Sequence, residues 1–151
     1  MVWIYLSINL VFLAIPFVLR TRREILALWA TLAIVILVAG CCFLLLPSQL
    51  AYPPPGDLGA SGAAFRLADR INLHYNLLPS LHVALTVCCV AALSPRAPRP
   101  GRMLLWTWAL AMSVSTLLTH QHHVLDVLTG FALGLVGTRL IYDRWSPTRT
   151  S

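Results

Sequence analysis

Lysine is absent from the sequence, and charge of either sign is scarce. All eleven basic residues are arginine, only five residues are acidic, and charged residues make up 11% of the 151 positions. Hydrophobic residues make up 58% of the chain, and its mean hydropathy is +0.78. This composition is too apolar for a soluble domain of this size. It indicates a protein that lies in a membrane.

The apolar residues are grouped in long runs, and the period-two alternation of a membrane β-barrel is absent. Because lipid cannot satisfy a polar backbone, the remaining solution is a bundle of helices. We predict an all-α, polytopic transmembrane bundle with about five spans, formed by one domain over residues 1–145 and followed by a polar tail, 146–151. The candidate spans are 2–19, 25–46, 78–93, 103–119 and 124–142.

The arginines fall mainly on one side of the membrane when five spans are threaded through a bilayer. Nine of them fall on one side, and only Arg66 and Arg70 fall on the other. The positive-inside rule places the nine in the cytoplasm of a protein of the plasma or inner membrane. The N-terminus has no basic segment and a long apolar run, so we expect no cleaved signal peptide. The same distribution argues against nucleic acid as a partner.

The four cysteines form two adjacent pairs inside apolar runs, Cys41-Cys42 and Cys88-Cys89. Neither pair has the C-x-x-C spacing of a metal or redox site. We predict that they are small packing residues between helices.

Two short stretches at the edges of apolar runs hold four of the five histidines: Asn76–His82 and His120–Asp126. Titratable side chains are costly at membrane depth, so their presence indicates a functional site. On a helix, the four-residue spacing puts His122 and Asp126 on one face. The carboxylate would hold one imidazole tautomer and leave the other ring nitrogen free to attack as a nucleophile.

The first stretch has the features of a helix start that binds an anion. Asn76 is a good N-cap, and Pro79 suits a first turn. The amide groups of Ser80, Leu81 and His82 would then be unpaired and available to phosphate. The Ser80 hydroxyl would add a donor. His82 would act as a general acid and base at the leaving oxygen.

Two other interpretations of these residues stay open. Histidine or aspartate inside a membrane can simply bridge two helices by a hydrogen bond. A metal or haem site is the second, because His120, His122 and His123 are close in sequence, although 122 and 123 would point about 100° apart on a helix.

The two stretches together resemble the type 2 phosphatidic acid phosphatase superfamily. Pro79-Ser80-Leu81-His82 is similar to its Pro-Ser-Gly-His motif. Ser115, His122 and Asp126 match the spacing of its Ser-Arg-x5-His-x3-Asp motif. The segment from His122 to Val127 is closer to the His-Tyr-Thr-x-Asp-Val form of the branch that contains inositol phosphorylceramide synthases and sphingomyelin synthases.

The resemblance implies an activity and roles for the residues. The enzyme would be a lipid-phosphate phosphatase or head-group phosphotransferase that works through phosphohistidine, at the extracytoplasmic face and without a cofactor. His122 would attack phosphorus, Asp126 would orient it, and His82 would protonate the leaving group. The implied partners are a lipid phosphate or phospholipid, an alcohol acceptor in the transferase case, and membrane lipids. The sequence leaves the lipid and the oligomeric state open.

The sequence departs from the superfamily pattern in its cationic phosphate ligands. The Lys-x6-Arg-Pro motif is absent from residues 41–55, and Thr116 stands where an arginine is expected. The family usually has six helices where five are predicted here. A catalytically degenerate protein that binds lipid head groups without turnover is therefore the alternative. In an active enzyme we expect substrate contacts from the helix start and its neighbours, namely Ser80, Leu81, Asn76, Tyr75, Arg66, Arg70 and His120.

Overall fold

A computed structural model describes residues 2–46, 78–118 and 122–146, and every regular element in these ranges is helical. The all-α prediction is therefore confirmed. The helices are α1 (Val2–Leu6), α2 (Ile8–Val18), α3 (Arg22–Leu45), α4 (Leu81–Leu93), α5 (Arg99–Leu118), α6 (Val124–Gly137) and α7 (Asp143–Trp145). A 3₁₀ turn, Ser94–Arg96, follows α4, and α6 continues through a π-helical turn, Thr138–Tyr142.

The first apolar run is divided in two, so the prediction of one helix over 2–19 is wrong in this detail. Ser7 separates α1 from α2, and its hydroxyl donates a hydrogen bond to the Ile4 carbonyl. A serine hydroxyl that binds the preceding turn competes with the helical pattern of hydrogen bonds. The same oxygen accepts a hydrogen bond from Trp108 Nε1 at 2.9 Å, which links the junction between α1 and α2 to α5.

A capping box sets the start of α3 at Arg22, three residues earlier than the apolar run predicts. The Glu24 amide donates to Thr21 Oγ1 at 3.2 Å, and the Thr21 amide donates to Glu24 Oε2 at 3.3 Å. These two bonds satisfy backbone donors that a helix start leaves unpaired. Glu24 is buried and also forms an ion pair with Arg96, which lies just beyond the end of α4.

Helix α4 is the centre of the bundle, and ten of its 13 residues are buried. It packs against α2, α3, α5 and most extensively α6. Helices α4 and α6 are parallel, because Ser80 lies beside Gly130 and Ala84 lies beside Gly134. Helix α3 is antiparallel to both, since its first turn reaches Arg96 while Val35 contacts the last residue of α6.

These directions give the bundle two chemically different ends. The starts of α4 and α6, with their histidines, lie at one end. The start of α3, the turn after α4 and the residues that follow α6 meet at the other end, where Glu24, Arg96 and Tyr142 are neighbours. His82, near the start of α4, and Arg96, in the turn that follows it, are roughly 20 Å apart along the helix axis at about 1.5 Å per residue.

Two helical segments in the described ranges are long and apolar enough to cross a bilayer, Arg22–Leu45 and Val124–Trp145. In the apolar 18-residue stretch of each segment, only 28% is buried in the bundle. The core helix of a soluble protein, by contrast, is mostly buried. Ile8–Val18 and Leu81–Arg96 are apolar but shorter. Helix α5 has 20 residues but is less apolar, because it begins with Arg99 and Arg102. Five spans stay a prediction.

The two cysteine pairs differ in their surroundings. Cys88 and Cys89 are fully buried in α4, and Cys88 Sγ donates a hydrogen bond to the Gly134 carbonyl at 3.5 Å. These two are the packing residues that the sequence predicts. Cys41 is exposed on α3 and Cys42 is half-buried, so the prediction is wrong for Cys41. The reason is that α3 presents only one face to the bundle.

We predict that alanine is costly at Gly134 and harmless at Gly40. A Cβ at Gly134 would lie 2.6 Å from the Ala84 carbonyl oxygen and 2.8 Å from Val87 Cβ, whereas one at Gly40 would have no neighbour within 4 Å. Overpacking of this kind costs about 1–3 kcal/mol. Replacing a helical glycine by alanine in open space gains up to about 1 kcal/mol. Unfolding in detergent should therefore occur earlier for Gly134→Ala and unchanged or later for Gly40→Ala; equal shifts would contradict the packing.

Candidate active site

The two histidines that sequence analysis singles out meet at one end of the bundle. His82 is the second residue of α4, and His122 lies two residues before α6. Their ring centroids are 6.5 Å apart, and the ring planes are inclined by 57°. The predicted approach of the two imidazoles is therefore observed. At this separation a single phosphoryl group can contact both rings.

The Asp126 carboxylate lies beside His122 but is held mainly by another group. Asp126 Oδ2 is 3.6 Å from His122 Nδ1, which is longer than a hydrogen bond. The same oxygen accepts a hydrogen bond from the His123 amide at 2.7 Å. His122 and Asp126 are both buried, with 7% and 4% of their surfaces exposed, and His122 Nδ1 has no hydrogen-bond partner. A shift of less than 1 Å would bring Nδ1 within hydrogen-bond distance.

The predicted helical pairing of His122 with Asp126 is wrong in its geometry. His123 has an extended backbone, with φ −87° and ψ 163°, and is the N-cap of α6. The helix begins only at Val124, so His122 lies on non-helical backbone. The reason is that the His123 amide donates a hydrogen bond to the Asp126 carboxylate, which caps the N-terminus of α6 and fixes its first residue at Val124. The two side chains are neighbours because the chain folds back over the first turn.

The start of α4 also differs from its prediction. Ser80 is the N-cap, so Pro79 precedes the helix, and Asn76 is not the cap. The Ser80 amide is not free, because it donates to the Asp126 carbonyl oxygen at 2.8 Å. The amides of Leu81 and His82 precede the first intrahelical bond of α4, which runs from the Ala84 amide to the Ser80 carbonyl. Ser80 Oγ is buried and has no hydrogen-bond partner.

Gly130 allows the two helix starts to approach at backbone distance. A Cβ at this position would collide with the carbonyl oxygen of Ser80 and would also meet its Cβ. The glycine lies one turn after Asp126, directly beneath the hydrogen bond from Ser80 to the Asp126 carbonyl. It therefore fixes the spacing between the segments that carry His82 and His122.

The remaining predicted contacts are divided between described and undescribed residues. Leu81 is half-buried and packs against the core. On α5, the Ser115 hydroxyl donates to the Met112 carbonyl and the Thr116 hydroxyl donates to the Ser113 carbonyl, so both bond to their own helix. Asn76, Tyr75, Arg66, Arg70 and His120 lie outside the described residues.

Two contributors to the site were missed by the sequence analysis. The His123 amide holds the Asp126 carboxylate, and Gly130 admits the α4 backbone. An acidic residue three positions after a candidate cap is the usual signal of such a capping bond. Within the described ranges, no three histidine, cysteine or acidic side chains come together as a metal-binding group.

The fold and the site define a class: an all-helical, apolar protein that gathers two histidines and one aspartate at one end of its bundle. The model of the PAP2 superfamily matches residues 1–140. The chain therefore belongs to the PAP2 superfamily, a family of phosphatases and phosphotransferases, as its motifs predict. No solved structure matches the chain. Its position within a particular branch stays a prediction.

We predict that Gly130→Ala loosens the junction between α4 and α6. The added Cβ would push against the Ser80 carbonyl and weaken the bond from the Ser80 amide to Asp126. A cost of about 1.4 kcal/mol corresponds to a tenfold change in an opening equilibrium, so the Ser80 amide should exchange its hydrogen about tenfold faster. Leu128→Ala, on the exposed face of the same helix, is the control. Unchanged exchange in Gly130→Ala would contradict the proposed junction.

Proposed function

We propose that this protein is an integral membrane lipid-phosphate phosphatase or head-group phosphotransferase that works through a phosphohistidine intermediate. The observation that carries the proposal is the meeting of His82 and His122, with ring centroids 6.5 Å apart, beside a buried Asp126. Membership of the PAP2 superfamily supports phosphoryl transfer in general. Of the three buried side-chain polar atoms without partners in the described part of the chain, two, His122 Nδ1 and Ser80 Oγ, lie at this end and support a site that is completed by a ligand.

In the first step His122 is the nucleophile. With Nδ1 turned toward Asp126, Nε2 is the nitrogen that can attack phosphorus. The Nε2–P bond forms as the bond from phosphorus to the lipid oxygen breaks. Protonated His82 gives its proton to that oxygen, so the alcohol leaves uncharged. The Asp126 carboxylate stabilises the positive charge that develops on the His122 ring.

In the second step the roles reverse. His82, now neutral, takes a proton from an incoming hydroxyl group, whose oxygen attacks phosphorus while the N–P bond breaks. When the donor is a lipid phosphomonoester, water as the incoming group gives inorganic phosphate. When the donor is a phospholipid diester, the head group stays on the phosphorus bound to His122, and a lipid alcohol as the incoming group gives a new phosphodiester. The amides at the start of α4 are placed to bind the phosphoryl oxygens, since helix N-termini favour anions. Phosphoryl transfer needs mainly such positioning and charge stabilisation.

The surface of the bundle supports a lipid as substrate. Large apolar side chains are exposed around it, among them Phe17 at 88% and Leu44 at 86%. A soluble monomer rarely exposes so much apolar surface. The arginines of the described part lie toward the end opposite the histidines, which by the positive-inside rule supports a site on the extracytoplasmic face. A substrate in the outer leaflet could then reach it from the lipid phase.

We predict that His122→Ala abolishes turnover and covalent labelling. Purified protein in detergent should release phosphate from phosphatidic acid or an isoprenyl diphosphate without added metal. The quenched enzyme should carry an acid-labile, base-stable phosphoryl group on His122. Removal of the nucleophile should eliminate both signals, while Leu128→Ala, an exposed site on α6, should keep them. Turnover that survives in His122→Ala would refute the assigned nucleophile.

We predict that His82→Ala separates the two steps according to the leaving group. With an alkyl phosphate the rate should fall by about 10²–10⁴-fold, the usual contribution of a general acid. A nitrophenolate leaving group needs no proton, so its phosphate ester should still phosphorylate the enzyme. Because His82 is also the base of the second step, one equivalent of nitrophenol should appear in a burst, followed by slow turnover.

The comparison with His122→Ala makes this experiment decisive. That variant should show no burst with either substrate, because it lacks the attacking nitrogen. Equal losses of rate for alkyl and nitrophenyl esters in His82→Ala would contradict a proton-transfer role and favour a purely structural one.

The alternative is a protein of the same fold that binds lipid head groups without turnover. Thr116, at the position where the family motif has arginine, bonds to its own helix, and the arginines of the described part lie away from the histidine end. Saturable head-group binding with no phosphohistidine and no released phosphate, over a panel of phosphomonoesters and phosphodiesters, would establish this alternative. Covalent labelling of His122 during turnover would eliminate it.

A further inference from the structure

We propose that the end of the bundle opposite the histidines is a binding surface for anionic phospholipids of the adjacent leaflet. The proposal rests on the membrane placement given under the proposed function, but not on the chemistry of the histidine site. It concerns six arginines that the catalytic proposal does not use. This set, the arginine rim, consists of Arg20, Arg22, Arg23, Arg99, Arg102 and Arg144.

The rim comes from three separate parts of the chain that the fold brings together. The ion pair between Glu24 and Arg96 joins the first turn of α3 to the end of α4. Arg102 Nε donates to the Ser94 carbonyl at 3.3 Å, which joins the first turn of α5 to the same turn. Helix α7, which carries Arg144, packs against α3. All six rim arginines are exposed.

The acidic residues near the rim are engaged elsewhere. Glu24 is 2% exposed, and its carboxylate is bound by Arg96 and by the Thr21 amide. Asp143 also has an interaction of its own. Among the described residues, no ion pair joins a rim arginine to a carboxylate. The rim therefore presents uncompensated positive charge to whatever lies at this end of the bundle.

Guanidinium groups favour phosphate over a general negative charge. Arginine presents a planar fork of donors that binds two phosphate oxygens at once, while lysine acts as a point charge. The chain has arginine at all eleven of its basic positions. Clusters of basic side chains next to membrane helices attract anionic lipids. The chemical class that fits the rim is thus a phosphate monoester or diester with negative charge.

The apolar side chains beside the rim favour a lipid over a soluble polyanion. Leu26 lies one turn beyond Arg22 on α3 and is 53% exposed. Met103 and Leu104 follow Arg102 directly and are 72% and 70% exposed. Trp29, also exposed, is of the type enriched where headgroups meet acyl chains. A ligand with a phosphate and acyl chains can satisfy both surfaces, whereas a free polyanion would leave the apolar one uncovered.

The test compares two lipids in nanodiscs that contain the full chain. Brominated phosphatidylglycerol or brominated phosphatidylcholine is mixed into unbrominated phosphatidylcholine, and quenching of tryptophan fluorescence gives their relative association. At about 0.1 M salt we expect phosphatidylglycerol to be preferred by about fivefold, and the preference to fall toward one near 1 M salt, where charges are screened within about 3 Å.

Two paired variants locate the effect. Arg22→Gln with Arg23→Gln, and Arg99→Gln with Arg102→Gln, should each reduce the preference at least twofold, and the corresponding lysine pairs should keep most of the salt dependence but bind less tightly. His122→Ala, at the other end, removes the proposed nucleophile but should keep the full lipid preference. The lipid-binding proposal and the catalytic proposal can therefore fail independently of each other. Circular dichroism of each variant reports its helix content.

Three results would overturn the proposal. One is equal quenching by the two lipids in the unmodified protein. Another is a preference that survives in both folded glutamine pairs, since the binding surface would then lie elsewhere. The third is displacement of phosphatidylglycerol by inorganic polyphosphate at equal phosphate concentration, since the ligand would then be a soluble polyanion. Loss of preference in the glutamine pairs with retention in His122→Ala would support it.

Discussion

The candidate site depends on the backbone contact between the starts of α4 and α6. The Ser80 amide donates to the Asp126 carbonyl at 2.8 Å, and Gly130 provides the space that the Ser80 carbonyl needs. Parallel packing of the two helices then places both N-termini, and with them His82 and His122, at the same end. Close packing transmits small shifts, so one added methyl group at this junction would be felt at the imidazoles.

The buried acidic and histidine side chains of the described residues lie at the two ends of an apolar bundle. At one end Glu24 and Arg96 neutralise each other where three segments meet. At the other end His122 Nδ1 and Ser80 Oγ are buried without hydrogen-bond partners. Each unpaired buried group costs about 1–3 kcal/mol. At the first end the buried carboxylate is neutralised by its ion pair, although Tyr142 Oη beside it also has no hydrogen-bond partner. At the second end the two unpaired atoms lie beside the histidines, which is the expected property of a site that binds a polar ligand.

This separation also gives the two proposals different physical origins. Phosphoryl transfer would use buried side chains held by hydrogen bonds between helices, so it should depend on geometry and little on salt. Lipid selectivity would use exposed guanidinium groups, so it should depend on ionic strength and little on the spacing of α4 and α6. A bundle that spans the membrane has one end at each surface of the bilayer. One short chain would then present a reactive surface on one side and a lipid-binding surface on the other.

The sequence alone determined the class of structure and singled out the candidate site residues. Long apolar runs without alternation required helices, and the placement of His82, His122 and Asp126 in motifs indicated the superfamily. Local bonds were decided by competition that composition does not reveal. The Asp126 carboxylate caps α6 at His123 and leaves His122 outside the helix, while Ser80 replaces Asn76 as the cap of α4.

Only the tertiary structure decided that His82 meets His122. The two residues are 40 positions apart in the sequence, and nothing local fixes their distance. It is set by glycines on α6 that allow α4 to approach at backbone contact, and by the parallel direction of the two helices. Periodicity specifies which face of a helix is apolar, but the steric fit between two such faces determines which pair of ends comes together.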